Sequence, residues 1–338
     1  MTRRATAQDV ADLAGVSRSA VSLVLNGRAE GNISQVKQEA VRDAARQLRY
    51  TPDAVALSLR SKRTATLGVL TWADPRGMPL ALLHAVHSAA SAAGYLLMMV
   101  DVVERPWQVG TLLDRRVDGF VVVAPQLSDF AVPEAVSGLP TVLVNCVDTA
   151  LGVTSLVPDE VGAGESAARR VVEAGHRELA VLAGTRSLAS EQRARGVRAA
   201  AQAAGLRRPA VVLAGHTAAD GHAATRRLLA SDPAPSALVC THEQLALGAL
   251  LAAADLGLDV PGDLSVVSLD DGENLAGRLV PAVDLVSRPV EVIGTHALAL
   301  LVDELRRGRP APRQLSFVCP LRPGASVAPP RLRTLPPG

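Results

Sequence analysis

Aromatic residues, cysteines and lysines are scarce in this 338-residue chain, which contains seven, three and two of them. Cys146, Cys240 and Cys319 are odd in number and far apart, and no Cys/His cluster has the spacing of zinc ligands. These absences argue against a disulfide framework and a structural zinc site. We expect a reduced, cytoplasmic protein, and no residue pattern indicates a metal or a cofactor.

Long apolar runs and catalytic motifs are also missing. No stretch approaches the roughly 20 apolar residues of a membrane span, and the polar, basic N-terminus lacks the apolar segment of a signal peptide. Serines and histidines are scattered, without a nucleophile elbow. We therefore expect neither a membrane protein nor an enzyme.

One motif imitates a nucleotide site. Residues 162–167, GAGESA, match the dinucleotide fingerprint G-x-G-x-x-A, which requires a strand running straight into the first glycine. Here Pro158, Asp159 and Glu160 intervene, and no acidic residue ends a strand about 20 positions later. A nucleotide cofactor is therefore not expected.

The charge is concentrated at one end of the chain. Residues 1–63 hold 11 Lys and Arg against 6 Asp and Glu, whereas the remainder holds 24 against 27. A basic end on a mildly acidic body is typical of phosphate binding at that end, although basic termini are often merely solvated.

The segment TAQDVADLAGVSRSAVSLVLNG, residues 6–27, has the pattern of two short helices joined by a tight turn. Thr6 and Asp9 form a capping-box-like start, Gly15 suits a left-handed helix end, and Ser17 is a good N-cap for the second helix. This is the helix-turn-helix pattern of DNA-binding proteins. On this segment alone, an ordinary helical hairpin in a larger core stays open.

Further helices are expected after this pair. Ser34 can cap a third helix, and its expected inner face consists of Val36, Ala40, Val41, Ala44 and Leu48. Pro52 suits the first turn of a short fourth helix, over about 52–61, which carries Ala56 and Leu59. Such a helix is too short to be stable alone in water. We expect it to fold against DNA and a partner copy, with Leu59 as a wedge between base steps.

From about residue 64 onward, short apolar runs such as VDGFVVV and ELAVLAG alternate with helical stretches. Unbroken apolar strands separated by helices predict parallel sheets covered on both faces. There are too many strands for one small sheet, so the sequence predicts two doubly wound α/β lobes.

Four segments resemble those of the lactose-repressor/galactose-repressor (LacI/GalR) family of transcription regulators. They are DVADLAGVSRSAVSLVLNG, RYTPDAVALSLRS, HEQLALGAL and DLSVVSLDD, and the resemblance extends over essentially the whole chain. It implies an α/β protein in which an N-terminal helix-turn-helix headpiece precedes a two-lobed, periplasmic-binding-protein-like core of doubly wound parallel sheets.

The resemblance also implies the domain boundaries. The headpiece with its hinge helix occupies residues 1–61, the effector-binding and dimerisation core 64–330, and a flexible tail 329–338. The expected lobes are about 64–157 with 289–316, and about 158–287 with 317–328. The chain is expected to cross between them near 156–160, 284–289 and 316–320.

The family pattern assigns roles in the headpiece. Bases are expected to be read by Arg18, Ser19 and Leu23, and phosphates to be held by Thr6, Ser17, Ser22 and Asn26. Arg18 can reach guanine O6 and N7 in a bidentate way. Leu23 departs from the pattern, since many relatives carry arginine there, and it can only meet a thymine methyl group or pack inward.

The ligand cleft matches the family less well. Its expected residues are Trp72, Asn145, Arg193, His242 and Asp270. His242 and Glu243 stand where Asn-Asp is usual, and Asn145 stands where Asp is common, which weakens the expectation of a sugar ligand. For His242, a pH-sensitive pocket and a plain hydrogen-bonded histidine at the lobe interface both stay open.

The sequence thus predicts a regulator, expected to repress from a palindromic double-stranded DNA operator as a homodimer, with a small polar effector that includes sugars among its candidates. The proline-rich end APPRLRTLPPG has no heptad helix, so a tetramer is not expected. The alternative is a DNA-binding regulator without a small-molecule response. A solute-binding protein or an enzyme is disfavoured by the headpiece and by the missing catalytic group.

Overall fold

The computed structural model describes residues 5–27, 29–51, 63–72, 80–102, 108–148, 150, 152–270 and 275–331. The chain divides into two compact units, Met1–Thr64 and Ala65–Gly338. The expected hinge helix, with Ala56 and Leu59, lies outside the described residues.

The first unit contains the helices α1 (Ala7–Ala14), α2 (Arg18–Leu25) and α3 (Gln35–Gln47). Three of the four expected caps are confirmed: Thr6 and Asp9 form a capping box, Gly15 has φ 63°, and the Ser17 hydroxyl accepts a hydrogen bond from the Ala20 amide. These local bonds satisfy amides that helix ends otherwise leave unpaired. The two helices are therefore joined by a short, well-bonded turn. Ser34 is the N-cap residue of α3, but its side chain makes no capping hydrogen bond.

A small apolar core joins the three helices, with Val10 from α1, Val21 from α2 and Val41 from α3 completely or almost completely buried. The expected inner face of α3 is wrong at one position, because Val36 is 77% exposed. The core residues of α3 begin further along the helix, so its first turn lies outside the packed region.

The first lobe of the second unit is built on a six-stranded parallel sheet. In the order β11-β5-β4-β3-β1-β2, its strands are β11 (Gln314–Phe317), β5 (Thr154–Pro158), β4 (Thr141–Val147), β3 (Gly119–Asp129), β1 (Thr66–Thr71) and β2 (Leu96–Asp101). It carries the helices α4 (Leu80–Ala92), α5 (Gln108–Asp114) and α10 (Val290–Arg307). Apolar clusters cover both of its faces, which explains the continuous hydrophobic runs.

The second lobe has a six-stranded sheet of the same kind, in which only the short edge strand β12 is antiparallel. In the order β12-β10-β9-β8-β6-β7, its strands are β12 (Leu321–Arg322), β10 (Asp284–Val286), β9 (Ser265–Ser268), β8 (Ala237–Cys240), β6 (Leu179–Ala183) and β7 (Ala210–Leu213). Its helices are α6 (Glu160–Glu173), α7 (Leu188–Ala203), α8 (Ala218–Leu229) and α9 (Glu243–Asp255). The predicted doubly wound fold is confirmed.

Three connections join the two lobes, between residues 158 and 160, 286 and 290, and 317 and 321. They lie close to the three positions expected from the sequence. In the part of the expected tail that the structure describes, 329–331, Arg331 donates to the Asp259 carboxylate at 2.9 Å. Cys146, Cys240 and Cys319 are free and buried, and burial raises the pKa of each thiol.

One buried histidine ties three segments of the second lobe together. The Nε2 of His176 donates to the carbonyl of Ala328 at 2.9 Å, and its Nδ1 lies 2.8 Å from the Ser236 hydroxyl. Because a carbonyl only accepts, Nε2 carries the hydrogen and Nδ1 accepts from the serine. Burial lowers the pKa of His176 below its ordinary value of 6.5, so the folded protein holds this ring neutral.

This histidine should make stability depend on pH. The unfolded chain binds a proton at His176 more readily than the folded one does. The contribution of His176 to the free energy of unfolding is therefore full above the unfolded pKa and decreases as the pH falls from there towards the lower folded pKa. A His176→Gln variant should lose this slope, which for one proton reaches at most ~1.4 kcal/mol per pH unit. Urea unfolding of both proteins between about pH 7.5 and 5 measures it, and parallel pH curves would contradict the assignment.

Candidate nucleic-acid interface and ligand cleft

The N-terminal end of α2 presents its side chains to solvent. Arg18 and Ser19, the first two residues of the helix, are exposed, and the Ser19 hydroxyl lies 3.0 Å from that of Ser17. The first turn of a recognition helix is the part that reaches base edges in helix-turn-helix proteins. Arg18 is therefore available to carry a fork of N–H donors to a guanine edge.

The other residues expected to contact DNA belong to the same unit. Thr6 is exposed beside the start of α1, whereas Ser22 and Asn26 are half-buried and bonded to each other, the Asn26 amide donating to the Ser22 carbonyl at 2.6 Å. Leu23 is half-buried and does not belong to the apolar core of this unit. Its side chain is thus on the outside of the core, where it can offer an apolar contact.

A buried cluster of charges lies where the chain enters the second lobe. The guanidinium of Arg193 on α7 donates to both carboxylate oxygens of Glu160, the first residue of α6, at 2.5 and 2.9 Å. Its Nη1 donates to the carbonyl of Thr241 at the end of β8 and lies 3.8 Å from the Asp270 carboxylate. The arginine is buried, and this disfavours its charge, but Glu160 and Asp270 outweigh the burial and raise its pKa. Arg193 therefore stays charged.

The same cluster extends to the connections between the lobes. Asp270, which follows β9, also accepts from Arg288 at 2.8 Å, and Arg288 belongs to the second connection. Burial is the main reason that the pKa of Cys319, on the third connection, rises to about 12. Of the neighbouring charges, Glu160 raises this pKa further and Arg193 lowers it. Arg193 and Asp270 were predicted from the sequence, but their partners Glu160 and Arg288 were not.

His242 belongs to a chain of hydrogen bonds along the carboxyl edge of the second sheet. Its Nδ1 lies 3.0 Å from the Thr241 hydroxyl and its Nε2 lies 3.3 Å from Nδ1 of His216, whose other nitrogen is 2.8 Å from the Thr185 hydroxyl. The two imidazole rings stack with centroids 5.3 Å apart. His216 was not expected from the sequence, since it stands alone in a polar loop without any motif.

Glu243, next to His242, bonds to backbone amides and not to another side chain in the hydrogen bonds described. It is buried, and its carboxylate accepts from the amides of Leu275 and Ala276. A negative charge at a pair of backbone amides is a strong, charge-assisted arrangement. Glu243 therefore holds the backbone at Leu275 and Ala276.

The two expected residues of the first lobe, Asn145 and Trp72, contact other residues of that lobe. Asn145, near the end of β4, has a left-handed backbone with φ 59°, and its amide donates to the Ala124 carbonyl at 3.0 Å. Its buried Oδ1 has no hydrogen-bond partner among the described residues. The hydrogen bonds described for Asn145 and His242 thus join residues within their own lobes.

Trp72 follows β1 and stacks on Phe130, with ring centroids 5.5 Å apart and planes 11° from parallel. Both rings line a cavity of about 650 Å³ at the carboxyl ends of β1, β2 and β3, together with Val102, Gln126 and Ser128. Ligands of open α/β sheets bind at this edge of the strands. The cavity is thus a feature of the first lobe that suits an apolar face of a ligand.

The two lobes meet in a small apolar contact. Leu127 of the first lobe and Ala189 of the second are buried together with Val157 of β5, next to the first connection. These residues therefore form part of the interface between the two lobes in the arrangement that the structure shows.

Glycines bring α6 and α7 into close contact and so build the charge cluster. A methyl group at Gly164 would overlap the carbonyl oxygen of Arg193, and one at Gly196 would overlap that of Val161. The GAGESA segment lies inside α6, and its first glycine bonds to the N-cap Asp159. Its glycines thus serve helix capping and helix packing in this structure.

The chain is similar to known regulators. Residues 6–53 match the bacterial regulatory proteins of the lacI family, and residues 168–327 match a periplasmic binding protein-like domain. An HTH-type transcriptional repressor PurR of Erwinia tasmaniensis is 30% identical over 315 residues, which cover 90% of this chain and 92% of that protein.

Solved structures agree with this comparison. The transcriptional regulator CelR in complex with cellobiose is 28% identical, with a TM-score of 0.68, and the match covers 96% of this chain and 100% of that one. The Lac repressor bound to ONPG in the repressed state is 25% identical, with a TM-score of 0.77 over the same shares.

Two searches of the described residues add to this picture. None of their helices is long and apolar enough to cross a membrane, and they contain no group of three potential metal-ligating side chains. With a matching headpiece, a matching core and a relative that aligns along nearly its whole length, this chain belongs to the lacI family of bacterial transcriptional regulators.

Proposed function

We propose that this regulator binds a palindromic DNA operator as a homodimer and represses transcription there, under the control of a small polar effector. The observation that carries the proposal is the exposed N-terminal end of α2, with Arg18 and Ser19, on a well-capped three-helix unit. The PurR relative is named a transcriptional repressor, and this supports repression as the outcome of binding.

A dimer follows from the size of the reading surface. One helix-turn-helix unit contacts few base pairs, whereas two units related by two-fold symmetry double the contacts and read a palindrome. The hinge segment, with Ala56 and Leu59, is proposed to complete this interface at the centre of the site. The proposed dimerisation surface lies on the core.

The core is proposed to sense the effector between its lobes, about 64–157 with 289–316 and about 158–287 with 317–328. Arg193, His242 and Asp270 would face the ligand from the second lobe, and Trp72 and Asn145 from the first. A ligand that binds better to one arrangement of the lobes shifts the population towards it. The complex of CelR with cellobiose supports a small polar ligand as the class.

A regulator without a small-molecule response is the second candidate. It is favoured by the partners of Arg193, whose nitrogens are all engaged by Glu160, Thr241 and Asp270. Thermal unfolding and operator binding in the presence of a metabolite panel separate the two candidates. A sensor responds to some member in both assays, whereas a regulator that has lost its effector responds in neither.

The DNA contact is tested through Arg18. An Arg18→Ala variant should lose discrimination at one base pair of each half-site, worth about 1–3 kcal/mol, because a bidentate contact to guanine is removed. Affinities for an operator and its single-base variants measure this, with Arg169→Ala as the control, since Arg169 is an exposed arginine of the core. An equal loss on all sequences would make Arg18 a phosphate contact instead.

A further inference from the structure

We propose that Glu160 closes the arginine of the second lobe to anionic ligands, so that the cleft takes an uncharged polar effector and rejects carboxylates and phosphates. The inference rests on the proposed function, in that it takes this cleft to be the effector site. It makes Glu160 the residue that determines the charge class of the ligand.

In the ion pair between Glu160 and Arg193, both carboxylate oxygens accept a hydrogen bond from the guanidinium. Two parallel N–H···O bonds of 2.5 and 2.9 Å join the guanidinium edge to the two carboxylate oxygens, and the side chains are 1% and 3% exposed. This fork is the geometry with which arginine recognises a ligand carboxylate or phosphate. Glu160 thus occupies, from within the chain, the place that an anionic ligand would take.

The remaining nitrogen of Arg193 is also engaged. Nη1 donates to the Thr241 carbonyl at 2.5 Å and lies 3.8 Å from the Asp270 carboxylate. A guanidinium has five N–H groups, so those left over can still reach a neutral acceptor, such as a hydroxyl or a carbonyl. The edge formed by Nε and Nη2 is filled by Glu160. At Nη1, an anion would meet the Thr241 carbonyl oxygen and the negative charge of Asp270, which both disfavour it.

The helices keep this pair from opening. Because Gly164 lies against the backbone carbonyl of Arg193 and Gly196 against that of Val161, α6 and α7 are in direct backbone contact. This contact fixes how far apart the backbones that carry Glu160 and Arg193 lie. An anion that took Arg193 would have to leave the Glu160 carboxylate buried without its partner, which is unfavourable.

The charge count of the described cluster leads to the same conclusion. Arg193 and Arg288 carry two positive charges, and Glu160 and Asp270 carry two negative ones. A bound carboxylate or phosphate would add an unbalanced negative charge next to two buried carboxylates. A neutral ligand leaves the balance unchanged.

Chemical rescue tests the proposal on the full chain. Glu160→Ala removes a group that acetate matches in size and charge, so acetate should bind Arg193 in the variant and raise its melting temperature by about 3 °C or more. Acetamide at the same concentration and ionic strength should not. The wild-type protein should respond to neither probe, and inorganic phosphate should likewise leave it unchanged.

A double variant, Glu160→Ala with Arg193→Gln, is the control and should lose the acetate response. Should Glu160→Ala not fold, Glu160→Ser also leaves the space of the carboxylate group open and is expected to gain the same response. The proposal is overturned when acetate or phosphate stabilises the wild-type protein as much as the variant, when a folded variant does not respond, or when the double variant still does. Operator binding of the same preparations, measured without these probes, tests the proposed function separately.

Discussion

Replacing Gly164 with alanine is expected to destabilise the protein by about 3 kcal/mol, because the new methyl group would overlap the backbone carbonyl of Arg193. Side-chain rotation cannot relieve this contact, so α6 and α7 must move apart. The separation would also stretch the ion pair of Glu160 and Arg193. Urea unfolding measures the free energy.

Gly110→Ala is the matched control for this substitution. Gly110 also lies in a helix, α5, but a methyl group there would meet no atom of the described residues within 4 Å. Alanine is favoured over glycine in helices by roughly 0.5–1 kcal/mol, so the control should be neutral or slightly more stable. Equal losses at the two positions would show that the close helix contact is not what makes Gly164 necessary.

The second large effect is expected at Arg193. Removing its side chain leaves the Glu160 carboxylate buried without a counter-charge, and breaking a buried pair in this way costs about 3–5 kcal/mol. Arg193→Met should therefore lower the free energy of unfolding by that amount, while Arg193→Met combined with Glu160→Gln should recover a large part of it. A double-mutant cycle measures the coupling.

If the double variant were as unstable as the sum of the single ones, the pair would have no coupling and the assignment would fail. The pairing also changes what a substitution of Arg193 means for the ligand. An altered effector response in such a variant reports on the fold of the cleft as well as on a direct contact. Unfolding must therefore be measured beside any binding experiment.

The sequence predicted those features that depend on short spacings. The caps at Thr6, Gly15 and Ser17 follow from residues three or four positions apart, and the structure has each of them. The apolar strands likewise predicted two parallel sheets, because strands covered on both faces need no polar alternation. Family resemblance then supplied the order of the lobes.

The missed features are contacts between distant positions. Glu160 and Arg193 are far apart in the sequence, and only the close approach of two helices at Gly164 and Gly196 brings them together. Their charges alone suggest solvent-exposed residues, so no local pattern marks them as a buried pair. The prediction that Val36 is buried was wrong although the local pattern favoured it. Val36 has the helical spacing of the buried residues, but it lies in the first turn of α3, outside the packed region.

The central claim is that the chain recognises DNA through two copies of its headpiece. Selection of binding sites from genomic fragments with the full-length protein, followed by footprinting at several salt concentrations, tests it most directly. We predict an enriched imperfect palindrome, a symmetric footprint, and a log affinity that falls with log salt by roughly 0.9 per phosphate neutralised. No enriched sequence, an asymmetric footprint of a single half-site, or binding that does not depend on salt would contradict the claim.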